Sequence, residues 1–404
     1  MTERLYYHDS LRLDFDARVV DHARFEGRNA VVLDRTAFYP ESGGQMADRG
    51  RLATAPVLDV QVDGGDRDAP AGDRERIVHV LEGKLPEIGT VVIGEVDRAR
   101  RRVHMALHTA QHMLSRALTD VARTQTVSSR LGETTCTVDV DAAELDERSL
   151  ARAEDLVNAL VDDDLEVRAW FPDAGELARL PLRKAPTVDG AVRLVRIGDF
   201  DLTPCGGTHC TRTSQVGSLH VTGVERYKGG TRISFVAGRR ARDRLAAESQ
   251  VLGAMARELT CAPEDVPGAL EKLRRQLQES REAAGKLQAR LAELEAGRLE
   301  AEQGSRELIV ASVEGAGPEL LRALASRLVR PDRAVLLAGE RSEGMALLAA
   351  RGAASSVDCG ALVRRLVEAA GGRGGGRPER AEGKLPPDAA FAELVSRALS
   401  ASDG

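Results

Sequence analysis

Two pairs of side chains that can bind a metal ion lie far apart along this chain, and they limit the folds that it can adopt. In 108-HTAQH-112 the two histidines are four residues apart on a predicted helix, so both imidazoles project from one face. In 205-CGGTHC-210 a cysteine and a histidine have the same separation, and the glycines between them let the backbone approach closely. Thiolate and imidazole are ligands that zinc prefers. We therefore expect the fold to bring together four zinc ligands, which are His108, His112, Cys205 and His209.

The coordination of this predicted zinc stays open. Four protein ligands normally define a closed structural zinc, whereas a catalytic zinc keeps one position for water or substrate. One ligand yields to water, or the metal expands its coordination, or zinc organises the pocket without activating water. For the histidine pair alone, two helix histidines without a shared partner are the competing interpretation. Cys210 is expected to point elsewhere, as a small buried residue.

The chain is long enough for several domains, and its patterning predicts an α+β multidomain fold. Short β-rich runs separated by turn residues alternate up to about residue 95. Beyond them, helices and strands mix without a regular βαβ rhythm. The expected domains are a small N-terminal β-barrel with a glycine-rich motif over residues 1–95, an α/β zinc-containing domain over 96–240, a helical or coiled-coil segment over 241–305 and a small C-terminal α/β domain over 306–404.

Apolar residues at alternating three- and four-residue spacings predict a coiled-coil seam or a helical hairpin in the third segment. They are Leu270, Leu273, Leu277, Ala284, Leu287, Leu291 and Leu294. Ser280 interrupts one core position. Because such a seam can pair with a second copy, we expect that the chain can form a homodimer through this segment and the C-terminal domain.

Charge and composition limit the partners. The formal net charge of −6 means that a nucleic acid would have to be held by local basic patches. Aromatic residues make up 3% of the chain, which favours backbone and shape contacts over base stacking. The N-terminus is charged and no apolar run approaches ~20 residues, so we expect a cytoplasmic protein without a membrane span. Five scattered cysteines argue against a disulfide framework.

Three motifs in order resemble alanyl-tRNA synthetase and its free-standing AlaX relatives. HTAQHMLSRAL followed by PCGGTHC resembles their editing domain, and 38-FYPESGGQMADRG-50 is similar to the glycine-rich motif of the barrel before it. The stretch 371-GGRGGGRPERAEGK-384 resembles the end of the synthetase's C-terminal, DHH-associated domain. Because the chain begins at the barrel, the resemblance is to a long AlaX-type protein without an aminoacylation core.

The resemblance implies a zinc-dependent hydrolase that deacylates mischarged tRNA(Ala) in trans, mainly Ser-tRNA(Ala) and with Gly-tRNA(Ala) as a further substrate. A pocket that accepts alanine cannot strongly reject an isostere that adds a hydroxyl, whereas a second site that binds the hydroxyl can discriminate strongly. The four zinc ligands would then be the catalytic residues. His104 is either a general base or a packing residue. The alternative function is a non-catalytic zinc-containing tRNA-binding protein.

A side-chain hydroxyl near the zinc reads serine in AlaX relatives. At the matching distance this chain has 126-TVSSRLG-132, in which Ser129 or Ser128 would be the reader. The synthetases tend to have a Gln-Lys-Gly-Ser run there, so this chain departs from that pattern. Serines of a surface turn are the competing interpretation.

Glycine and arginine residues supply the remaining predicted contacts to tRNA(Ala). The resemblance puts Gly43, Gly44 and Gln45 in a loop near the acceptor end, against a simple glycine turn or the tripeptide of release factors. Basic residues lie beside the metal motifs and in the tail, where they would bind phosphates of the acceptor end and body or would be only solvated. They are Arg98, Arg100, Arg101, Arg102, Arg226, Lys228, Arg232, Arg373 and Arg377.

Overall fold

A computed structural model describes residues 2–64, 76–185, 191–341 and 344–400. Contacts divide the chain into two compact units, Met1–Leu252 and Gly253–Gly404. The α+β multidomain prediction is confirmed by several sheets combined with helices. The finer division into four domains stays a prediction. No helix in these described parts is both long and apolar enough to cross a membrane.

The first unit begins with short strands around a closed barrel. Its strands are β1 (Glu3–Arg4), β2 (Asp14–Phe25), β3 (Arg28–Leu33), β4 (Arg35–Thr36), β5 (Gly50–Leu52), β6 (Ala55–Asp63), β7 (Arg76–Leu81) and β8 (Val91–Val96). The barrel closes in the order β2-β3-β7-β6-β5-β8, and β1 pairs with β4 beside it. In β2 the side chains alternate, so Phe15, Ala17 and Val19 enter the barrel core while their neighbours face solvent.

In the described residues, four α-helices and two antiparallel sheets follow the barrel in the first unit, and the last of these helices extends past Leu252 into the second unit. The elements are α1 (Arg98–Ala122), β9 (Thr126–Leu131), β10 (Cys136–Val140), α2 (Glu147–Asp162), β11 (Val167–Trp170), α3 (Ala174–Leu177), β12 (Leu194–Ile197), β13 (Asp201–Pro204), β14 (Leu219–Tyr227), β15 (Gly230–Ala237) and α4 (Arg239–Leu259). The sheets have the orders β14-β15-β10-β9 and β11-β12-β13. Asp97 caps α1 by accepting from two amide groups of its first turn, and Arg123 ends the helix in the left-handed conformation.

A buried ion pair joins the barrel to α1. The Arg101 guanidinium donates to both carboxylate oxygens of Asp48 and to the carbonyl of Ser10. Asp48 is completely buried and also accepts from the amide of Tyr39. Because a buried charge without its partner costs about 3–5 kcal/mol, this pair fixes how the barrel meets the helix. Arg101 is therefore a structural residue, which corrects its place among the predicted phosphate contacts.

The second unit contains a long helix and a five-stranded sheet. Its elements are α5 (Val266–Gln303), β16 (Leu308–Glu314), α6 (Pro318–Leu328), β17 (Ala334–Arg341), β18 (Gly344–Arg351), α7 (Cys359–Ala370), β19 (Arg373–Arg377), β20 (Arg380–Leu385) and α8 (Phe391–Ser400). The sheet order is β16-β17-β18-β20-β19, with β16 and β17 parallel and the other pairs antiparallel.

The glycine-rich tail forms a hairpin of the strands β19 and β20. β19 is the edge strand, and its glycines allow the partner strand to come close: a Cβ on Gly374 would lie 2.5 Å from the Cα of Gly383. A Cβ on Gly376 would lie 2.4 Å from the Arg380 carbonyl oxygen. Tertiary packing therefore overrides the low strand propensity of glycine here.

The predicted leucine seam lies on α5, a single helix of 38 residues. Its leucines are 44–72% exposed, whereas Ala292, Ala296 and Leu299 near the end of the helix pack into the core with α6. The helix is thus confirmed, and a coiled-coil dimer through the exposed leucines stays a prediction.

Candidate metal centre

The two predicted ligand pairs meet inside the first unit. The ligand atoms of His108, His112, Cys205 and His209 all lie within 4.8 Å of one another. The Cys205 Sγ is 3.4 Å from Nε2 of His108 and 3.2 Å from Nε2 of His209. Ligands at bond lengths of 2.0–2.3 Å around a tetrahedral zinc are separated by about 3.3–3.8 Å, so this donor set fits such an ion. The three histidines are buried and Cys205 is half-buried.

A glycine makes this convergence sterically feasible. His108 and His112 lie one turn apart on α1, while Cys205 directly follows β13. A Cβ on Gly207 would lie 2.1 Å from Cε1 of His108, so only glycine lets the cysteine loop pass that ring. The amide of Gly207 also donates to the Cys205 sulfur at 3.3 Å.

His108 is oriented by a residue of the barrel. The Gln45 Oε1 lies 2.7 Å from Nδ1 of His108 and also accepts from the amide of Thr208. The Gln45 Nε2 donates to the Thr208 hydroxyl at 2.8 Å. Because an amide oxygen only accepts, His108 holds its proton on Nδ1 and directs the Nε2 lone pair to the cysteine. Gln45 is completely buried and its amide is engaged within the protein, while its direct contact with substrate stays a prediction.

The other two histidines have partners from different segments. His209 Nδ1 lies 3.2 Å from the hydroxyl of Thr109, which itself donates to a backbone carbonyl in α1 and so accepts from the ring. His112 Nδ1 is 3.6 Å from Oδ2 of the buried Asp201, whose other oxygen accepts from Arg183 at 2.6 Å. The rings of His108 and His209 are thus held by hydrogen bonds with Nε2 available for a metal, whereas His112 Nδ1 faces the Asp201 carboxylate without a hydrogen bond.

The electrostatics of the cluster favour metal-binding protonation states at two residues. Burial opposes ionisation of Cys205, but the three imidazoles outweigh it and hold the pKa of the thiol well below its usual value. Burial lowers the pKa of His209 to about 3, which keeps that ring neutral. For His112, burial is outweighed by Cys205 and Asp201, which raise its pKa to about 9. Metal binding would therefore displace a proton from His112.

A cavity of about 1070 Å³ opens onto this cluster and includes part of the predicted substrate site. His108, His112 and Cys205 line it, together with Gly43, Ser128 and Ser129. Its volume is sufficient for a nucleoside carrying an amino acid.

The two serines lie in β9 rather than in a surface turn, and they face opposite sides of its sheet. Ser128 stands opposite Asp139, to which its hydroxyl donates at 2.6 Å. Ser129 stands opposite Val138, a core residue, and therefore faces the side on which α1 packs. Both serines line the cavity, and the Ser128 hydroxyl is already engaged by Asp139; the reader of a seryl group stays a prediction.

The two glycines of the barrel loop, Gly43 and Gly44, differ in their surroundings. Gly44 has φ +82°, and a Cβ there would lie 2.6 Å from the Ser129 carbonyl oxygen. Its own carbonyl accepts from the amide of Leu131, so it binds the loop to β9. Gly43, with φ +56°, has open space around its Cβ position and lines the cavity.

Several predicted basic contacts are engaged within the protein. Arg226 pairs with Glu144, and Arg232 donates to Asp139 at 2.7 Å while stacking 3.4 Å from the centroid of Tyr227. Arg232 holds the pKa of Asp139 below its usual value. None of Arg102, Arg226, Lys228 and Arg232 belongs to the described wall of the cavity.

Arg100 is half-buried and donates to Glu133 and to the carbonyl of Ala47, whereas the remaining basic candidates are exposed. Arg102 lies on the solvent side of α1, and Arg373 and Arg377 lie on the edge strand β19. His104 is 1% exposed, is not part of the described cavity wall, and has a pKa lowered by burial to about 4. Its position supports packing over proton transfer.

Sequence reasoning missed four residues that contact the candidate ligands or their partners. Thr109 and Asp201 face the rings of His209 and His112, Arg183 donates to Asp201, and Arg193 donates to the carbonyls of Cys205 and Gly207. A threonine within a helix and an aspartate within a short strand have no distinguishing spacing. Asp201 could have been noticed only as an acidic residue on the buried face of a strand, four residues before the cysteine.

Three family models match separate stretches of the chain. The family described as "tRNA synthetases class II (A)" matches residues 5–100. "Threonyl and Alanyl tRNA synthetase second additional domain" matches residues 192–234, which include Cys205 and His209. "DHHA1 domain" matches residues 305–401.

Similar proteins include three alanine–tRNA ligases. That of Pyrococcus abyssi is 33% identical over 400 residues, covering 95% of this chain and 42% of the relative. That of Halorubrum lacusprofundi is 32% identical, covering 99% and 43%. That of Thermococcus kodakarensis is 33% identical, covering 95% and 42%. The chain thus spans less than half the length of these relatives, and the resemblance to alanyl-tRNA synthetase is confirmed.

Among solved structures, the C-Ala domain of Aquifex aeolicus alanyl-tRNA synthetase is 24% identical and covers 22% of this chain and 85% of its own. Its TM-score of 0.21 is too low to describe how this chain folds.

Proposed function

We propose that this chain, which is related to the alanine–tRNA ligases, hydrolyses the ester of mischarged tRNA(Ala) in trans and has no aminoacylation activity of its own. Serine is the main amino acid removed and glycine is a second. The observation that carries the proposal is the convergence of the two ligand pairs at the wall of a cavity large enough for an aminoacyl-adenosine. The relationship to the ligases supports tRNA(Ala) as the substrate.

In this proposal zinc is held by His108, His112, Cys205 and His209. Bound zinc supplies a Lewis acid, which polarises an ester carbonyl or lowers the pKa of a water molecule. The protein's own contribution is orientation, because Gln45 and Thr109 accept the Nδ1 protons of His108 and His209, while the Asp201 carboxylate lies 3.6 Å from Nδ1 of His112.

Ser129 supplies the selection for serine. A hydroxyl that faces the cluster can hydrogen-bond the hydroxyl of a bound seryl group, whereas an alanyl group would leave it without that partner. Ser128 is the weaker candidate because its hydroxyl already donates to Asp139.

The C-terminal domain has a separate role in this proposal. The exposed Arg373 and Arg377 contact phosphates of the tRNA body, and the leucine face of α5 forms the homodimer. The finer division of the chain into a barrel, an editing domain, a helical segment and this domain belongs to the same proposal.

The decisive experiment assays the purified 404-residue chain with Ser-, Gly- and Ala-tRNA(Ala) and, separately, with alanine, ATP and uncharged tRNA(Ala). We expect one zinc per chain, rapid hydrolysis of Ser-tRNA(Ala), slow hydrolysis of Ala-tRNA(Ala) and no charging. Stoichiometric zinc and tight tRNA binding without hydrolysis would support the alternative, a non-catalytic tRNA-binding protein. Full hydrolysis by metal-free protein, or charging of tRNA, would contradict the proposal.

A further inference from the structure

Aromatic side chains are concentrated on the wall of the cavity beside the metal cluster. Three of the chain's four tyrosines line it, together with Phe171. The ring of Tyr6 packs edge-on at 5.3 Å from Tyr39 and 4.9 Å from Tyr7, and Tyr7 lies 5.7 Å from Phe171. Tyr6 and Tyr39 are buried, whereas Phe171 is 38% exposed. The cluster is thus a layer of supported rings that ends in an accessible one.

A buried arginine fixes this layer to the metal-ligand loop. Arg193 donates to the carbonyls of Cys205 and Gly207, both at 2.9 Å, and to the carbonyl of Tyr7 at 3.2 Å. Its guanidinium lies 5.4 Å from the centroid of the Tyr7 ring. A Cβ on Gly206 would lie 3.4 Å from the Tyr7 hydroxyl, so that ring is directly beside the loop. The separation of rings and metal cluster is therefore set by the protein and does not depend on a ligand.

We propose that Phe171, supported by Tyr7, stacks on the adenine of the 3′-terminal adenosine of the aminoacylated tRNA. The inference rests on the proposed function, because the scissile ester is carried by the ribose of that adenosine. With the ester at the metal cluster, the base attached to the same ribose must lie against a nearby wall of the cavity. An exposed phenylalanine anchored through neighbouring rings to the metal-ligand loop provides the apolar face that a base requires.

This assignment also revises the sequence-based expectation about stacking. An aromatic content of 3% argues against reading a long single strand, but one terminal base needs only one accessible ring. Since all tRNAs end in the same adenosine, the subsite does not need hydrogen bonds that distinguish one base from another. It supplies binding energy and position, while selection of the amino acid takes place at the other end of the cavity.

The test compares two seryl-tRNA(Ala) substrates, one with the natural terminal adenine and one whose terminal ribose carries no base. The 404-residue, zinc-loaded protein should hydrolyse the natural substrate with a kcat/KM roughly five- to hundredfold higher. In Phe171→Leu this ratio should fall close to one, because the side chain stays apolar but loses its π face. Phe171→Tyr should retain the preference for adenine. Phe25→Leu, a half-buried phenylalanine of the barrel outside the cavity, is the control and should keep the wild-type ratio.

Binding provides a measurement that does not depend on turnover. Calorimetry with 3′-serylamino-3′-deoxyadenosine, which cannot be hydrolysed at an ester, should show an affinity loss of about five- to hundredfold in Phe171→Leu. Zinc content should be the same in all variants.

The outcomes separate the two proposals. If the wild type hydrolyses both tRNAs equally well, or if Phe171→Leu binds the analogue as tightly as wild type, the stacking subsite is overturned while the deacylase function stands. If no seryl-tRNA is hydrolysed, the proposed function fails, and the calorimetric comparison still decides whether Phe171 binds the base.

Discussion

The metal cluster of the first unit and the arginine hairpin of the second are built on opposite principles. Each histidine of the cluster is oriented by a different segment, through Gln45, Thr109 or Asp201, and all these groups are buried. The hairpin β19–β20 instead presents Arg373 and Arg377 to solvent on an edge strand. A buried polar group that loses its partner costs free energy, so the cluster tolerates few substitutions, whereas exposed charges are screened by water and tolerate substitution. Single substitutions should therefore have large effects in the cluster and small ones in the hairpin.

Removal of the thiol should produce the largest effect. In Cys205→Ala we expect loss of stoichiometric zinc and of Ser-tRNA(Ala) hydrolysis, because a soft charged ligand at the centre of three imidazoles is absent. Metal content is read by mass spectrometry and hydrolysis by release of serine. Cys210→Ala is the matched control, since Cys210 is buried beside the site but lies outside the ligand cluster, and it should keep its metal. A Cys205→Ala protein that retains one zinc would contradict the expectation that single substitutions in the cluster have large effects.

A single methyl group on the loop should be nearly as damaging. In Gly207→Ala the new Cβ would lie 2.1 Å from the His108 ring, so we expect a loss of about 1–3 kcal/mol in the free energy of unfolding together with weaker metal binding. Gly206→Ala has its nearest neighbour at 3.4 Å and should be close to wild type. Chemical denaturation and metal titration of both variants measure the difference. Equal stability of the two would mean that the loop is not held against His108.

Loss of the barrel glutamine should weaken the metal without changing selectivity. Gln45→Ala removes the acceptor for the His108 Nδ1 proton, and we expect zinc affinity to fall about 10- to 100-fold. Gln61→Ala, in the same barrel but bonded to the acidic residues Glu41 and Asp59, serves as the control. An increase in KM for Ser-tRNA(Ala) at unchanged zinc affinity would instead support direct contact between Gln45 and the substrate.

The reader of the serine hydroxyl should show a smaller, selective effect. Ser129→Ala should lower the ratio of Ser- to Ala-tRNA(Ala) hydrolysis by about fivefold, the equivalent of a hydrogen bond of about 1 kcal/mol, while zinc content stays constant. Ser128→Ala is the matched neighbour, which faces Asp139 and should leave the ratio unchanged. The reverse pattern would assign the reading to Ser128.

The contrast also shows what the sequence could predict. The convergence of the four candidate ligands was predictable because spacings of four residues and the zinc preference for thiolate and imidazole are local properties. The fold class followed in the same way from periodicity. The partners of the rings were not predictable, because Gln45 and Asp201 reach the cluster only through tertiary packing. The hairpin of the tail was not predictable either, since glycine disfavours strands, although close packing of β19 against β20 requires it here.

The smallest effect is expected in the hairpin, where the charge of the arginines rather than their exact geometry should determine the affinity for tRNA(Ala). Arg373→Ala combined with Arg377→Ala should reduce the salt dependence of tRNA(Ala) binding, lowering the slope of log affinity against log salt by about 1 to 2 because up to two phosphate contacts are lost. Zinc content and the hydrolysis of a short seryl-adenosine substrate should not change, since both depend on the first unit. Arg322→Ala is the control: its guanidinium lies 2.7 Å from Glu382 of the same sheet, so its charge is already compensated and its loss should leave the slope nearly intact. Binding measured by filter retention across a salt series distinguishes the two variants. Equal slopes for the double variant and the wild type would remove this hairpin from the tRNA interface, and the second unit would then be assigned to self-association through the leucine face of α5.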